Sequence, residues 1–346
     1  MHPEVSILLP FHDAAENLRW CLDSIALQTL DRFEVVAVDD GSRDDSAAVV
    51  QEYMAYDGRF RLLQPGRVGL VEALNVGLAA CRAPLVARMD ADDRMAPRRL
   101  EFQHRWMREH PAHALVATQV ELFPERSAGG GHLEYVRWQN RLLEPHQISA
   151  AIYVESPFAH PSVMYRRHLV IGMGGYRSGD FPEDYDLWLR MHHAGMVMAK
   201  LPRTLLYWRD SRTRLSRTDP RYGRERFDRL RAAALAKSGE LPTDRPLVIW
   251  GAGRRTRRRA RHLLEKGYRL RAWVDIDPRK IGNIVEGVPV VSPRWLEAES
   301  NHREEGGRRS RPYVLVYVAS WGAREEIARA LQGMGYREVE DYRLVG

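Results

Sequence analysis

The stretch Pro84-Leu85-Val86-Ala87-Arg88-Met89-Asp90-Ala91-Asp92-Asp93 constrains this chain more than any other. A short apolar run there ends in three carboxylates within four residues, and Pro97 follows to open a helix. A buried strand that stops at clustered aspartates puts acidic oxygens at the carboxyl edge of a sheet, where open α/β sheets bind ligands. Asp90 and Asp92 are spaced i, i+2, so in extended backbone they face the same way. Two hard oxygen donors so placed suit Mg²⁺ or Mn²⁺ bridged to a diphosphate. The same residues also suit an N-cap and a solvated turn, where aspartate is common.

The surrounding pattern decides between these readings. Apolar runs at Val5–Pro10, Phe33–Val38, Phe60–Gln64 and Leu85–Met89 predict strands. Helical periodicity predicts helices over Ala15–Leu27, Asp44–Ala55 and Leu70–Cys81 between them. Strands alternating with helices imply βαβ units and a mostly parallel sheet. Two strands then end in acids, at Asp39-Asp40 and at Asp90–Asp93, and deliver carboxylates to one edge. Further on, an amphipathic helix (Pro97–Glu109), a strand (Leu115–Leu122) and a Gly-rich loop (Ala128–His132) are expected. A second acidic focus, Pro182-Glu183-Asp184-Tyr185-Asp186-Leu187-Trp188, opens a helix, where acids also favour the macrodipole. A strand over Leu201–Trp208 leads to Arg209-Asp210, and a basic helix over Arg224–Lys237 closes this part.

The polar, breaker-rich stretch 239–245 reads as a linker between a domain at 1–238 and another at 246–346. In the second, Leu247–Trp250 runs into Gly251-Ala252-Gly253, a helix follows, and strand Leu270–Val274 ends at Asp275. Gly251 and Gly253 supply two glycines of a dinucleotide-binding turn, with Thr256 where the third would stand. Asp275 lies 22 residues after Gly253, where a ribose-binding acid is expected. Asn301–Pro312 reads as a charged loop.

Charge separates the two parts. From Arg245 onward there are 21 Lys and Arg against 13 Asp and Glu, whereas residues 1–244 carry 32 against 33. The first part is therefore not a generic nucleic-acid binder, and no specific nucleic-acid partner is expected. Arginines crowd 254–261, which fits a solvated face, an anionic membrane surface or an acidic partner. No apolar run approaches the roughly 20 residues that span a bilayer, and the first residues show no signal-peptide pattern. A cytoplasmic location, possible at the inner face of the membrane, is the expectation.

With the strands, acids and order in place, residues 4 to about 235 resemble family 2 glycosyltransferases of the GT-A nucleotide-sugar-binding fold. The matching elements are Val5-Ser6-Ile7-Leu8-Leu9-Pro10, Val38-Asp39-Asp40-Gly41-Ser42, Gly69 through Gly77, Met89-Asp90-Ala91-Asp92-Asp93, His160-Pro161-Ser162-Val163 and Pro182 through Trp188. The resemblance implies an α/β chain with a mostly parallel GT-A sheet, followed by a smaller Rossmann-like α/β domain. It implies that Pro10 and Phe11 line the nucleotide and that Asp40, with Asp39, hydrogen-bonds base and ribose. Asp90 and Asp92 fall in the metal-binding motif, Asp184 with Glu183 beside it matches the general base, and His160 and Trp188 lie near sugar and acceptor. Many members carry a histidine near the position of Asp210–Ser211; its absence here leaves Arg209 or Arg214 as candidates for a diphosphate contact.

These assignments imply inverting, Mg²⁺- or Mn²⁺-dependent transfer from a nucleoside-diphosphate sugar, a UDP-sugar foremost. The acceptor would be a hydroxyl of a surface polysaccharide, a glycolipid or a protein glycan. One rival is a catalytically inactive nucleotide-sugar sensor or docking protein. The other is an NAD(P)-dependent oxidoreductase centred on Gly251–Asp275.

Overall fold

A computed structural model describes residues 2–124, 129–211, 214–301, 311–318, 320 and 322–346. The chain divides into two compact units, Met1–Ser149 with Ser156–Arg221, and Ala150–Glu155 with Tyr222–Gly346. The stretch expected as a linker, 239–245, falls inside the second unit.

In the first unit the strands are β1 (Val5–Phe11), β2 (Phe33–Asp39), β3 (Phe60–Leu63), β4 (Leu85–Arg88), β5 (Arg94–Met95), β6 (His113–Phe123), β7 (Met164–Arg166) and β8 (Val197–Arg209). The helices are α1 (Ala15–Ala26), α2 (Ser46–Tyr56), α3 (Leu70–Ala80), α4 (Arg99–Glu109), α5 (Gly130–Arg141), α6 (Pro145–Ala151), α7 (Arg167–Gly172), α8 (Glu183–His193) and α9 (Leu215–Thr218). One eight-stranded sheet runs β3-β2-β1-β4-β7-β6-β8-β5. The strands β3, β2, β1 and β4 are mutually parallel, and β7 enters antiparallel between β4 and β6.

Every residue of β1 and β2 is buried. That is the burial a parallel strand acquires when both sheet faces are covered, and it explains the unbroken apolar runs. Helix α3 lies close on this sheet because of Gly77. A Cβ there would stand 2.3 Å from Leu8 Cδ1 and 2.8 Å from Val38 Cγ2. Cys21 and Cys81 are both free and buried. The Gly-rich segment expected as a loop differs: from Gly130 onward it is α5, and Ala128 lies outside the described residues. Val136 and Gln139 are buried, so tertiary packing overrides the poor helix propensity of its first glycines.

The second unit contains α10 (Arg224–Lys237), β9 (Leu247–Trp250), α11 (Arg254–Leu264), β10 (Leu270–Val274), β11 (Ile284–Val285), β12 (Val288–Val291), α12 (Pro293–Asn301), β13 (Tyr313–Val316), α13 (Ala323–Gly333) and β14 (Tyr342–Leu344). Its sheet runs β11-β12-β10-β9-β13-β14, parallel throughout except for the β11–β12 hairpin. Most of the expected charged loop, residues 302–310, lies outside the described residues. No helix among the described residues is long and apolar enough to cross a membrane.

Candidate active site

Strands β1, β2 and β4 lie side by side and parallel, with Phe11 opposite Asp39 and Leu8 opposite Arg88. Their carboxyl ends therefore share one edge. Beyond β4 the chain curls back: Met89 N–H donates to Leu8 O (3.1 Å), Asp93 N–H to Asp90 O (3.3 Å), and Cys21 Sγ to Asp90 O (3.3 Å). The curl brings carboxylate oxygens of Asp90, Asp92 and Asp93 within 4.8 Å of one another. Asp93, which the sequence did not single out as a ligand, is the most buried of the three. Its Oδ1 accepts the Arg209 N–H (2.7 Å), while its buried Oδ2 has no hydrogen-bond partner among the described residues.

Burial first, then the neighbouring Asp90 charge, raises the Asp92 carboxyl to about 6. Burial and the charges of Asp92 and Asp90 hold Asp93 well above the carboxylate range. Three carboxylates that crowd and repel, one with an orphaned buried oxygen, form an oxygen-only donor set that a hard divalent cation fits.

The nucleotide-binding candidates lie on the same edge. Pro10 and Phe11 are buried at the end of β1, and Phe11 O accepts the Asp40 N–H (2.8 Å). Asp39 Oδ1 accepts the Ser42 N–H (2.8 Å), and its Oδ2 has a long contact from Gln64 Nε2 (3.3 Å). Asp40 is more fully engaged. Its Oδ1 accepts the N–H groups of Val68 and Gly69, both at 2.7 Å, and its Oδ2 accepts Arg67 Nη1 at 2.7 Å. Asp40 thus shapes the Arg67–Gly69 segment. Gly41, at φ +68, lets that segment approach: a Cβ there would stand 2.9 Å from Arg67 N.

The second acidic focus forms at the start of α8. Glu183 is buried, and Asp184 is partly buried with Oδ1 accepting the Tyr185 N–H (2.7 Å). His160 sits in a 3₁₀ turn, His160–Ser162, with Nδ1 3.9 Å from Glu183 Oε1 and Nε2 3.1 Å from the Tyr176 hydroxyl. Burial, reinforced by the Arg88 charge, pushes His160 well below its ordinary value, so it is neutral at pH 7. Trp188 is fully buried and meets His160 edge-on at 5.8 Å and Phe158 at 5.7 Å. Burial first, then the Glu183 charge, raises the Asp184 carboxyl to about 8, against the opposing pull of the Tyr185 N–H and of Arg88.

Besides Asp93, two further features escaped the sequence. Arg88, at the end of β4, forms an ion pair with Asp90 and lies within electrostatic reach of Tyr176 and Glu183. Its only local signal is a charge at the last position of an apolar strand. His132, in the first turn of α5, reaches Asp210, with Nδ1 2.9 Å from Oδ1. Asp210 also accepts Arg217 Nη2 (2.6 Å), and Arg214 lies 4.1 Å from the Trp208 ring. Arg209 Nε donates to Asp92 O (2.9 Å). The charges of Arg214 and Arg209 both act on Asp92, though burial outweighs them.

Comparison with known proteins places the chain in a family. The model for glycosyl transferase family 2 matches residues 6–173. The amylovoran biosynthesis glycosyltransferase AmsE of Erwinia amylovora is 35% identical over 210 residues, spanning 58% of this chain and 74% of that protein. The chain belongs to glycosyltransferase family 2. The O-antigen biosynthesis glycosyltransferase WbnJ of Escherichia coli is 29% identical over 190 residues, 54% of this chain and 71% of that protein. Among solved structures, S. aureus TarS 1–349 in complex with UDP-GlcNAc superposes with a TM-score of 0.54 at 19% identity, over 68% of this chain and 67% of that one. That likeness is one of fold, and it identifies the eight-stranded unit of this glycosyltransferase as GT-A.

The candidate residues of the glycosyltransferase's second unit also meet at a carboxyl edge. Gly251 adopts φ +112, and a Cβ there would stand 2.9 Å from the Thr256 hydroxyl, so Thr256 packs under the turn. At Gly253 a Cβ would meet nothing within 4 Å. Asp275 Oδ2 accepts the Ala252 N–H (2.9 Å) and pairs with Lys280 Nζ (3.0 Å). Burial works against that carboxylate, yet the Asp277 and Ala252 N–H groups and Lys280 hold it below the usual range.

Proposed function

We propose that this chain is an inverting, metal-dependent glycosyltransferase that moves a sugar from a nucleoside-diphosphate sugar, a UDP-sugar foremost, to a hydroxyl acceptor. The observation that carries this reading is the orphaned Asp93 oxygen within the Asp90–Asp92–Asp93 group. It sits in the same unit as a second pair of carboxylates, Glu183 and Asp184, beside a neutral histidine.

Asp92, with Asp90 and Asp93, would hold Mg²⁺ or Mn²⁺; the bound cation supplies Lewis-acid stabilisation of the leaving diphosphate. Pro10, Phe11 and Asp39 line the nucleotide, and Asp40 sets the loop around it. Arg209 and Arg214 place positive charge beside Asp92 and suit the diphosphate. Asp184 takes the proton of the incoming hydroxyl as it attacks, with Glu183 alongside. One base and a direct displacement invert the anomeric centre. His160, backed by Trp188, offers an uncharged ring to the sugar or acceptor. The names of the amylovoran and O-antigen relatives support a polysaccharide acceptor; a lipid-linked or protein glycan has the same hydroxyl chemistry. In the second unit, Gly251, Gly253 and Asp275 frame a nucleotide-type turn, and the arginines of α11 suit an acidic partner or the inner membrane face.

The test is a thermal-shift panel of UDP, GDP, dTDP and CMP, each with and without Mn²⁺, followed by turnover of the matching sugar nucleotide. A ligand that binds the folded state raises the melting temperature by mass action. A shift with one nucleotide that requires both Mn²⁺ and Asp92 is the expected result. No shift and no turnover with any donor would overturn the reading.

A further inference from the structure

We propose that Arg88 is a positioning residue that joins the two acidic halves of the site, holding the Asp90 carboxylate toward the donor while its buried charge acts on the Glu183–Asp184 pair. This rests on the transferase reading above.

The backbone of Arg88 is fixed from two sides. Its N–H donates to Val163 O (3.0 Å), one residue beyond the turn that carries His160. Its carbonyl accepts Arg99 Nη2 (3.0 Å) from α4. The side chain is only 3% exposed, and it is ion-paired to an Asp90 carboxylate that remains 32% exposed. The buried end of the pair is thus the arginine, and the aspartate keeps an open side. The Arg88 Nε–H has no acceptor among the described residues. A buried charge with an unused donor is a poor device for stability, because an uncompensated N–H outweighs much of what the ion pair returns.

The same charge reaches a second group, acidic and aromatic. Tyr176 and Glu183 both act on Arg88, and Arg88 in turn opposes the rise of Asp184 and deepens the fall of His160. Among the described residues, the charged and titratable groups that act on Asp184 include Glu183 on its own helix, Arg88 from β4, and Tyr176 from the preceding turn. A plain counter-ion for Asp90 would have no business with this second group. A residue that aligns one carboxylate and biases another through one buried charge couples donor binding to proton removal.

The test uses wild type, Arg88→Gln, Arg88→Lys and the Arg88→Gln/Asp90→Asn pair. Two readouts are taken on each: the melting shift with UDP and Mn²⁺, and kcat and KM across pH with the sugar nucleotide that wild type turns over. Arg88→Gln should lower kcat by about 10- to 100-fold, the usual effect of losing a residue that orients a ligand. Its acid limb should move to higher pH, because a charge favouring ionised Asp184 is gone. Arg88→Lys should leave the limb nearly in place while kcat still falls about 10-fold, since charge survives and the fork geometry does not. The double variant should lose less than the product of its single losses.

A folded Arg88→Gln protein with wild-type kcat, KM and pH limb would overturn the proposal, as would purely multiplicative losses in the pair. Should Arg88→Gln melt below the assay temperature, Arg88→Lys decides, and wild-type kcat there overturns it. Failure of the transferase reading would appear separately, as absent turnover and no UDP–Mn²⁺ shift in wild type.

Discussion

Asp184→Asn should remove transfer and at the same time stabilise the protein, with a pH dependence that identifies the cause. The wild-type carboxyl is raised from 3.8 to about 8 by burial and by the charge of Glu183. The unfolded chain releases this proton near 3.8, while the folded chain keeps it until about 8. Between those values folding is progressively penalised, because stability falls with pH wherever the native state binds more protons. At about 1.4 kcal/mol per pH unit the penalty above pH 8 would be at most about 6 kcal/mol. Asp184 keeps some solvent contact, so screening reduces this to about 2 kcal/mol. Asparagine is isosteric, carries no charge, and its oxygen can still accept the Tyr185 N–H. For a unit of about 200 residues, 2 kcal/mol corresponds to roughly 4–8 °C in melting temperature. The assay is paired calorimetry from pH 4 to 9. The gain should be near zero at pH 4, grow through neutrality and level off above pH 8. A gain independent of pH, or a loss at pH 8.5, would refute the buried-carboxylate account.

Asp92→Asn should abolish the Mn²⁺-dependent nucleotide shift yet leave the metal-free melting temperature equal or higher, because a repelled charge is removed; a lower metal-free value would contradict that balance. Asp40→Ala should destabilise by about 3 kcal/mol, since the Val68 and Gly69 N–H groups and Arg67 all lose their acceptor, and denaturant unfolding reads this directly. Arg209→Ala should weaken UDP binding in titration calorimetry, and unchanged affinity would remove its diphosphate role.

Strands β9 and β10 begin and end where the apolar runs do, and β1, β2 and β4 depart from them by a residue or so at their ends. Strands covered on both faces must be continuously apolar, so their sequence is explicit. What local pattern does not encode is pairing. The insertion of the three-residue strand β7 between β4 and β6 is hidden from local pattern, yet it turns a run of βαβ units into this mixed sheet. Helix α5 was hidden for a different reason. Its glycines favour a loop, and bonds to distant residues anchor it, Asn140 to Val120 and His132 to Asp210.

The same division holds in the site, and it follows from what each residue is doing. The clustering of Asp90 with Asp92, and of Glu183 with Asp184, was legible because acids close together at the end of an element are visible in one dimension. Arg88, Asp93 and His132 were not. Arg88 matters through an acid two residues on and another nearly a hundred residues away; Asp93 matters because a backbone N–H from Arg209 takes one of its oxygens and no described residue takes the other. Asp40 shows the converse. Beside Asp39 it reads as a ligand contact, and what one dimension hides is that two backbone N–H groups and an arginine already engage its oxygens and shape the loop. A carboxylate's function is set by which of its oxygens the fold leaves unsatisfied, and that quantity is tertiary. The acids can therefore be counted from the sequence, but which of them is left to meet a cation, a base or a hydroxyl becomes apparent only once their hydrogen bonds are assigned.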